Sequence, residues 1–487
     1  MSTDVVVVGS GPNGLAAAVV LARSGLRVTV LEAQPTLGGG ARTLDLGLAP
    51  GIIHDLCSAV HPMAIASPFL RAFDLPGRGV RLLQPEVAFA QPLDQGRAGI
   101  AWNDIDRTAD GLGRDGRAWK GLLGPLVEHQ EGLVAFAMGD MRSLPPDLLT
   151  AARMAVRVLE QGTRAWDRRF REDVAPALIT GVAMHSIAPL PSFAPAGAAL
   201  LLAALAHGTG WPIPVGGSGA IVSALVDDLR AHGGNIHTDR PVRSMTDLPP
   251  ARAYVFDTTP RTLVQVMGEV LPRRSARMLS RFRYGNAAAK VDFVLSGPVP
   301  WSAPDVHRSG TIHLGGNRAE MAAAENAVHE GRHADSPVVL CSDPVVVDPS
   351  REVGGFRPFW TYTHVPAGSN RDVTEDITAQ VERFAPGFRD VVVASRCIPA
   401  SEMDEHDTNF VEGDIASGAV NVWQVFARPS VALNPSRTGA PGVYLCSSST
   451  PPGPGVHGLC GWYAARSVLR DRFGIRTMPS LAPDVAR

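Results

Sequence analysis

The stretch "DVVVVGSGPNGLAAAVVLARSGLRVTVLEAQ", Asp4 to Gln34, constrains the fold of this 487-residue chain more than any other. Four consecutive valines, Val5 to Val8, read as a parallel strand buried on both faces. A turn follows with glycines at 9, 11 and 14, then a small-residue helix predicted over Leu15 to Arg23 and a second strand over Arg27 to Leu31 that ends on Glu32. Each glycine answers a different mechanical need. Gly9 permits the tight turn, and Gly11, beside Pro12 and Asn13, lets the backbone meet a pyrophosphate at the helix N-terminus. Gly14 lets helix and strand pack closely, and Glu32, next to Ala33, can accept hydrogen bonds from a ribose. A Rossmann-type α/β domain that binds a dinucleotide is the expected outcome.

Glycine spacing alone is weak evidence, because "GLGRDG" at 111–116 repeats it. That copy follows the polar stretch "NDIDRTAD" instead of a strand, so it is expected to be a loop and a helix start. The first copy carries a further signal downstream. "EAQPTLGGGARTLDLG" places Gly38, Gly39, Gly40, Ala41 and Arg42 where a plain crossover helix would follow in a nicotinamide-dependent dehydrogenase. Glycines with one arginine can pass under a longer cofactor and face its phosphates, which favours FAD.

The rest of the composition narrows the class. A formal net charge of −2 gives no attraction to nucleic acid. Five cysteines include no CxxC pair and no zinc-ligand spacing, so no metal site is expected, and a reducing cytoplasm fits best. No basic leader precedes the first strand, so no signal peptide is expected. The longest apolar run, Ala196 to Ala206, is too short to span a bilayer and reads as a buried helix. The charged stretch Arg153 to Asp173 reads as a solvated helix face.

Together, "VVVVGSGPNGLAAAVVLARSGLRVTVLEAQPTLGGGART", "CSAVHPMAIASPF", "WPIPVGGSGAIVSALVDDLRAHGGNIHTDRPV" and "GVYLCSSSTPPGPGVHGLCGWYAARSVL" resemble FAD-dependent oxidoreductases of the phytoene desaturase type. These belong to the flavin amine oxidase superfamily, and the resemblance is strongest to the branch labelled pyridine nucleotide-disulphide oxidoreductase domain proteins. Disulphide reduction itself needs a redox dithiol that this sequence lacks. The resemblance implies that the C-terminal glycine segment runs along the flavin, with Ser448, Gly455, Val456, His457, Gly458 and Leu459 close to it. It also implies that the main chain of Val242 clamps the adenine.

An interleaved architecture follows. Residues 1–78, 211–285 and 429–487 should form the FAD-binding domain, and 79–210 with 286–428 a mixed α+β substrate domain, its first part mostly helical. Lys290 opens the apolar strand "AAAKVDFVL" and requires a partner or water. By resemblance to amine oxidases it would hold a water at flavin N5; the plain alternative is a lysine snorkelling at the domain edge. His457 is the second catalytic candidate by resemblance, and His61, His364 and His406 can also move protons. Amine oxidases generally carry an aromatic residue where Val456 stands, so a largely apolar small-molecule substrate is expected, with peripheral membrane contact as a corollary. Oxidation of an amine or amino acid, and a flavoprotein acting chiefly through partners, stay open as alternatives. The sequence carries no signal for oligomeric state or electron acceptor.

Overall fold

A computed structural model describes residues 3–139 and 144–484. Its first layer is a five-stranded parallel sheet built around the valine run. Strand β1, Val5–Val8, lies between β2, Val28–Leu31, and strand Ala253–Phe256; Asn235–His237 and Val443–Leu445 complete the edges. All four β1 valines are buried, as a strand covered on both faces requires. Helix α1 spans Pro12–Arg23, three residues longer at its N-terminus than expected. Pro12 causes the difference: at the first helical position its missing N–H costs nothing and its φ is already helical. Residues Leu15 to Leu21 of this helix are wholly inaccessible, which explains the run of alanines and valines.

The second layer is a mixed seven-stranded sheet with the order Val392–Ile398, Ala287–Leu295, Arg357–Val365, Val339–Ser342, Thr311–Leu314, Val87–Leu93, Arg97–Trp102. Strands Ala287–Leu295 and Arg357–Val365 run antiparallel in a register that sets Lys290 opposite Tyr362 and Asp292 opposite Trp360. Alternation then sorts the faces. Ala289, Val291, Phe293 and Leu295 pack with Phe359 against Ile377, Val381 and Phe384 of helix Thr374–Phe384. Ala288 and Tyr362 face the opposite way, toward Ala177 of helix Val174–Ala183 and Met321 and Ala324 of helix Arg318–His329.

The two strands Val87–Leu93 and Arg97–Trp102 lie inside a stretch expected to be mostly helical. The first strand of the hairpin, Val87–Leu93, is buried throughout, so the period-two signal of a half-exposed strand is missing. Helices do supply most of the remainder, including Phe193–His207 around the Ala196–Ala206 run and Leu148–Gln161 in the charged stretch. "GLGRDG" forms the end of one helix, a 3-10 turn and the start of the next. Among the described residues, no helix is long and apolar enough to cross a membrane. Strands of the five-stranded sheet come from 1–78, 211–285 and 429–487, and those of the seven-stranded sheet from 79–210 and 286–428. Residues 403–418 depart from that division by packing beside the glycine turn. Asn409 accepts from the Thr259 amide at 2.9 Å and donates to the Asp257 carbonyl at 3.1 Å.

Candidate functional site

The glycine turn is sterically closed to side chains. Gly9 has φ of 98°, and a Cβ there would sit 2.9 Å from the Asp257 carbonyl oxygen. One on Gly11 would lie 2.5 Å from Asp257 Oδ2, and one on Gly14 would lie 2.5 Å from the Gly9 carbonyl oxygen. The Gly14 amide donates to Asp257 Oδ2 at 2.8 Å, so a carboxylate holds the anion position at the N-terminus of α1. Local spacing does not reveal Asp257, whose position depends on the pairing of β1 with strand Ala253–Phe256, distant in sequence.

Glu32 closes β2 as expected. Its Oε2 accepts from the Ser10 amide at 2.8 Å and the Ser10 hydroxyl at 2.6 Å, and its Oε1 accepts from the Gln34 amide at 2.9 Å. Ala33 is exposed beside it. The Gly38 amide donates to the Ser10 hydroxyl at 3.1 Å, bringing the second glycine cluster onto the turn. A Cβ on Gly39 would lie 3.2 Å from Gly11 Cα, and one on Gly40 would lie 3.0 Å from the Phe410 ring. Ala41 is buried, and Arg42, also buried, donates to the Gly39 carbonyl at 2.9 Å, to Thr36 at 3.1 Å and to the His406 carbonyl. Acid is concentrated here. Burial pushes Asp257 up to about 7, with Asp407 and Glu32 adding to the rise and the Gly14 amide opposing it. Desolvation raises Asp407 to about 6, against the pull of the Asn409 amide and Arg42. A glycine turn at a helix N-terminus with no space for a Cβ fits the close backbone approach of a dinucleotide pyrophosphate.

The C-terminal glycine segment meets this turn directly. Helix Leu459–Val468 crosses α1 so closely that a Cβ on Gly461 would lie 1.8 Å from the Asn13 carbonyl oxygen. Gly455, with φ of 136°, faces Met63, and Gly458, with φ of 68°, caps the helix beneath Phe69. Val456 and Leu459 are buried and Ser448 is half-buried. His457 is engaged at both ring nitrogens: Nδ1 accepts from the Leu459 amide at 3.0 Å, and Nε2 lies 3.1 Å from the Gly453 carbonyl oxygen. Burial lowers its pKa to about 4. Val242 packs at the sheet edge against the cluster containing Val6, Val8 and Leu31.

Lys290 is buried and has the partner its position calls for. Nζ pairs with the carboxylate of Asp292, two residues along the same strand face, and Asp292 Oδ1 lies 3.4 Å from His54 Nδ1. Burial pushes the Asp292 carboxyl up, but Lys290 and His54 outweigh it and hold it below the usual range. Nζ also lies 5.8 Å from the centre of the Trp360 ring, which packs edge-on to Tyr362. Cys57 stands near both groups: a Cβ on Gly40 would lie 3.6 Å from Cys57 Cβ, and the Lys290 charge opposes the burial that raises the Cys57 thiol. The remaining histidines are dispersed. His61 pairs with Ser218 at 2.7 Å, His364 pairs with buried Glu325, and His406 presents its carbonyl to Arg42. A second, partly buried contact, His185 Nε2 to His313 Nε2 at 2.9 Å, has no sequence signal, because neither residue sits in a motif.

Comparison with known proteins agrees with this geometry. Residues 7–73 match the family described as NAD(P)-binding Rossmann-like domain. The chain is 24% identical to rat pyridine nucleotide-disulfide oxidoreductase domain-containing protein 2, with 96% of this chain and 93% of the relative covered. A 42-residue stretch, 9% of this chain and 8% of the relative, is 60% identical to hydroxyneurosporene desaturase of Rhodobacter capsulatus. A solved putrescine oxidase variant shares the fold at a TM-score of 0.62 and 17% identity, covering 96% of this chain and 99% of that one. Fold and site thus define a dinucleotide-binding oxidoreductase. The chain is similar to flavin-type oxidoreductases of the amine oxidase/desaturase group.

Proposed function

We propose that this protein is an FAD-dependent oxidoreductase acting on a carbon of a largely apolar substrate. The observation that carries the reading is the crossing of Gly461 over Asn13, which sets the C-terminal glycine segment alongside the dinucleotide turn, as a cofactor long enough to touch both requires. Bound FAD supplies a two-electron centre that exchanges a hydride at N5. The chain's own groups bind and orient it. The Gly11 backbone would face the pyrophosphate, Glu32 the ribose and the Val242 main chain the adenine, while Gly14 keeps helix and strand close. Gly39, Gly40, Ala41 and Arg42 line the middle, and Ser448 with Gly455 to Leu459 follows the ring end. His457 acts there as a strut that shapes the loop through its two backbone contacts. Lys290, neutralised by Asp292, is the residue that holds a water or substrate atom at the reacting face.

Val456 and Met63 support an apolar substrate, because both present hydrocarbon or thioether where a charged amine would find no partner. The Trp360–Tyr362 pair beside Lys290 favours the second reading, amine oxidation, since aromatic faces can hold an amine. Two measurements test the proposal. Heat-denatured protein should release intact FAD, and release of FMN or NAD, or of nothing after reconstitution, counts against it. Isoprenoid or acyl compounds should bleach the flavin anaerobically, or reoxidise its reduced form, faster than benzylamine or polyamines do; the reverse order establishes the second reading.

A further inference from the structure

A surface away from the glycine turn combines two features that rarely coincide without a ligand. Between Asn421 and Leu433 the chain exposes Val422, Trp423, Phe426, Val431 and Leu433, with Trp423 72% and Leu433 97% accessible. Five arginines are also exposed nearby in the chain's order of elements: Arg273, Arg274 and Arg277 on helix Arg273–Leu279, then Arg281 and Arg283. None of these five guanidinium groups is in an ion pair among the described residues. A cleft of about 780 Å³ brings Arg274, Arg277, Arg281 and Arg283 together with Trp423 and Val431 in one lining. Gln424 fixes the spacing by accepting from the Arg283 amide at 3.0 Å and donating to its carbonyl at 3.0 Å.

We propose that this face docks the protein on an anionic lipid bilayer, with Trp423, Phe426, Val431 and Leu433 entering the acyl boundary and the arginines meeting lipid phosphates. Apolar prows flanked by unpaired cations are what an interfacial site needs: hydrocarbon burial supplies depth and the charges supply attraction to anionic headgroups. A second copy of the chain suits the face poorly, because five arginines would meet their own kind. Nucleic acid would leave Leu433 and Val431 facing water. The face also adjoins the candidate site. Arg428, at its base, donates to the carbonyls of Ala416 at 2.8 Å and Gly418 at 3.1 Å, and a Cβ on Gly453 would lie 3.5 Å from its guanidinium.

The test uses the full chain with its cofactor and flotation with phosphatidylcholine vesicles, with and without phosphatidylglycerol. The protein should float with the anionic vesicles at low salt and much less in their absence. Arg274→Gln/Arg277→Gln/Arg281→Gln should weaken partitioning by about fivefold for each arginine removed. Trp423→Ser/Leu433→Ser should weaken it by about tenfold or more at unchanged salt dependence. All these side chains are exposed, so unchanged cofactor absorbance confirms folding. The proposal is overturned if the parent stays unbound to anionic vesicles, if either variant floats as well as the parent, or if the substitutions abolish DNA retention or self-association while flotation persists. Flotation is read without turnover, so its failure is distinct from failure of the flavin assay.

Discussion

Asp257 Oδ2 accepts from the Gly14 amide at 2.8 Å, tying the end of one parallel strand to the first turn of α1. The contact leaves no space at Gly11, where a Cβ would meet the same oxygen at 2.5 Å. Gly11→Val should therefore displace Asp257 as well as obstruct the pyrophosphate path. We expect the variant to be purified without cofactor and to unfold at lower denaturant concentration than the cofactor-free parent. A yellow variant with the parent's midpoint would refute both claims.

The same carboxyl makes stability depend on pH. Its folded pKa is raised to about 7 from an ordinary value of 3.8, so the folded state keeps a proton that the unfolded chain releases earlier. The stabilisation is complete below about pH 4 and is lost as pH rises toward 7. In Asp257→Asn this component is absent. The stability difference between parent and variant, both without cofactor, should change in the variant's favour by up to about 1.4 kcal/mol per pH unit over that window. Thermal unfolding at a series of pH values checks it, and parallel profiles would show that Asp257 titrates normally.

Much of this arrangement was legible from residue order alone. The valine run, the three glycines and Glu32 fall within one short stretch, Val5 to Glu32, so local spacing is enough to place the turn, and Lys290 signals its own burial by sitting in an apolar strand. What stayed hidden depends on contacts between distant segments. Asp257 and Asn409 reach the turn only through strand pairing and loop packing, and His457 gives no sign in sequence that both its nitrogens are taken by backbone. The Trp360–Tyr362 pair was equally invisible as a partner of Lys290, because their meeting follows from the antiparallel register.

The helix crossing at Gly461 gives a sharper stability test than any other glycine. Even one methyl group would overlap the Asn13 carbonyl, since no Cβ exists 1.8 Å from an oxygen without backbone movement. Gly461→Ala should cost about 2 kcal/mol or more and reduce cofactor retention together with stability. Gly474→Ala is the control, because no atom lies within 4 Å of a Cβ there, although its φ of 69° adds some strain. Equal losses in the two variants would mean that the crossing is not a close contact in solution.

His457→Leu separates a strut from a proton carrier. Removing the ring strands the Leu459 amide and the Gly453 carbonyl, two buried groups that together cost about 2 kcal/mol or more. The loss should appear in unfolding midpoints, while the flavin reduction rate keeps the parent's pH profile. Disappearance of one limb of that profile would restore the histidine to a catalytic role.

Lys290 and Asp292 should behave as one unit. Lys290→Met alone leaves a buried carboxylate without its cation, which typically costs about 3–5 kcal/mol, so slow flavin reduction in that variant would confound chemistry with damage. Lys290→Met/Asp292→Leu removes both charges and should recover most of the stability. If Lys290 holds a water or substrate atom at the reacting face, the double variant binds cofactor normally yet reduces or reoxidises its flavin at least about tenfold more slowly, the effect of one positioned proton-transfer group. Stopped-flow measurement of both half-reactions decides. A double variant that is stable and turns over at the parent's rates would leave the pair as a packing element of the strand, with the chemistry elsewhere.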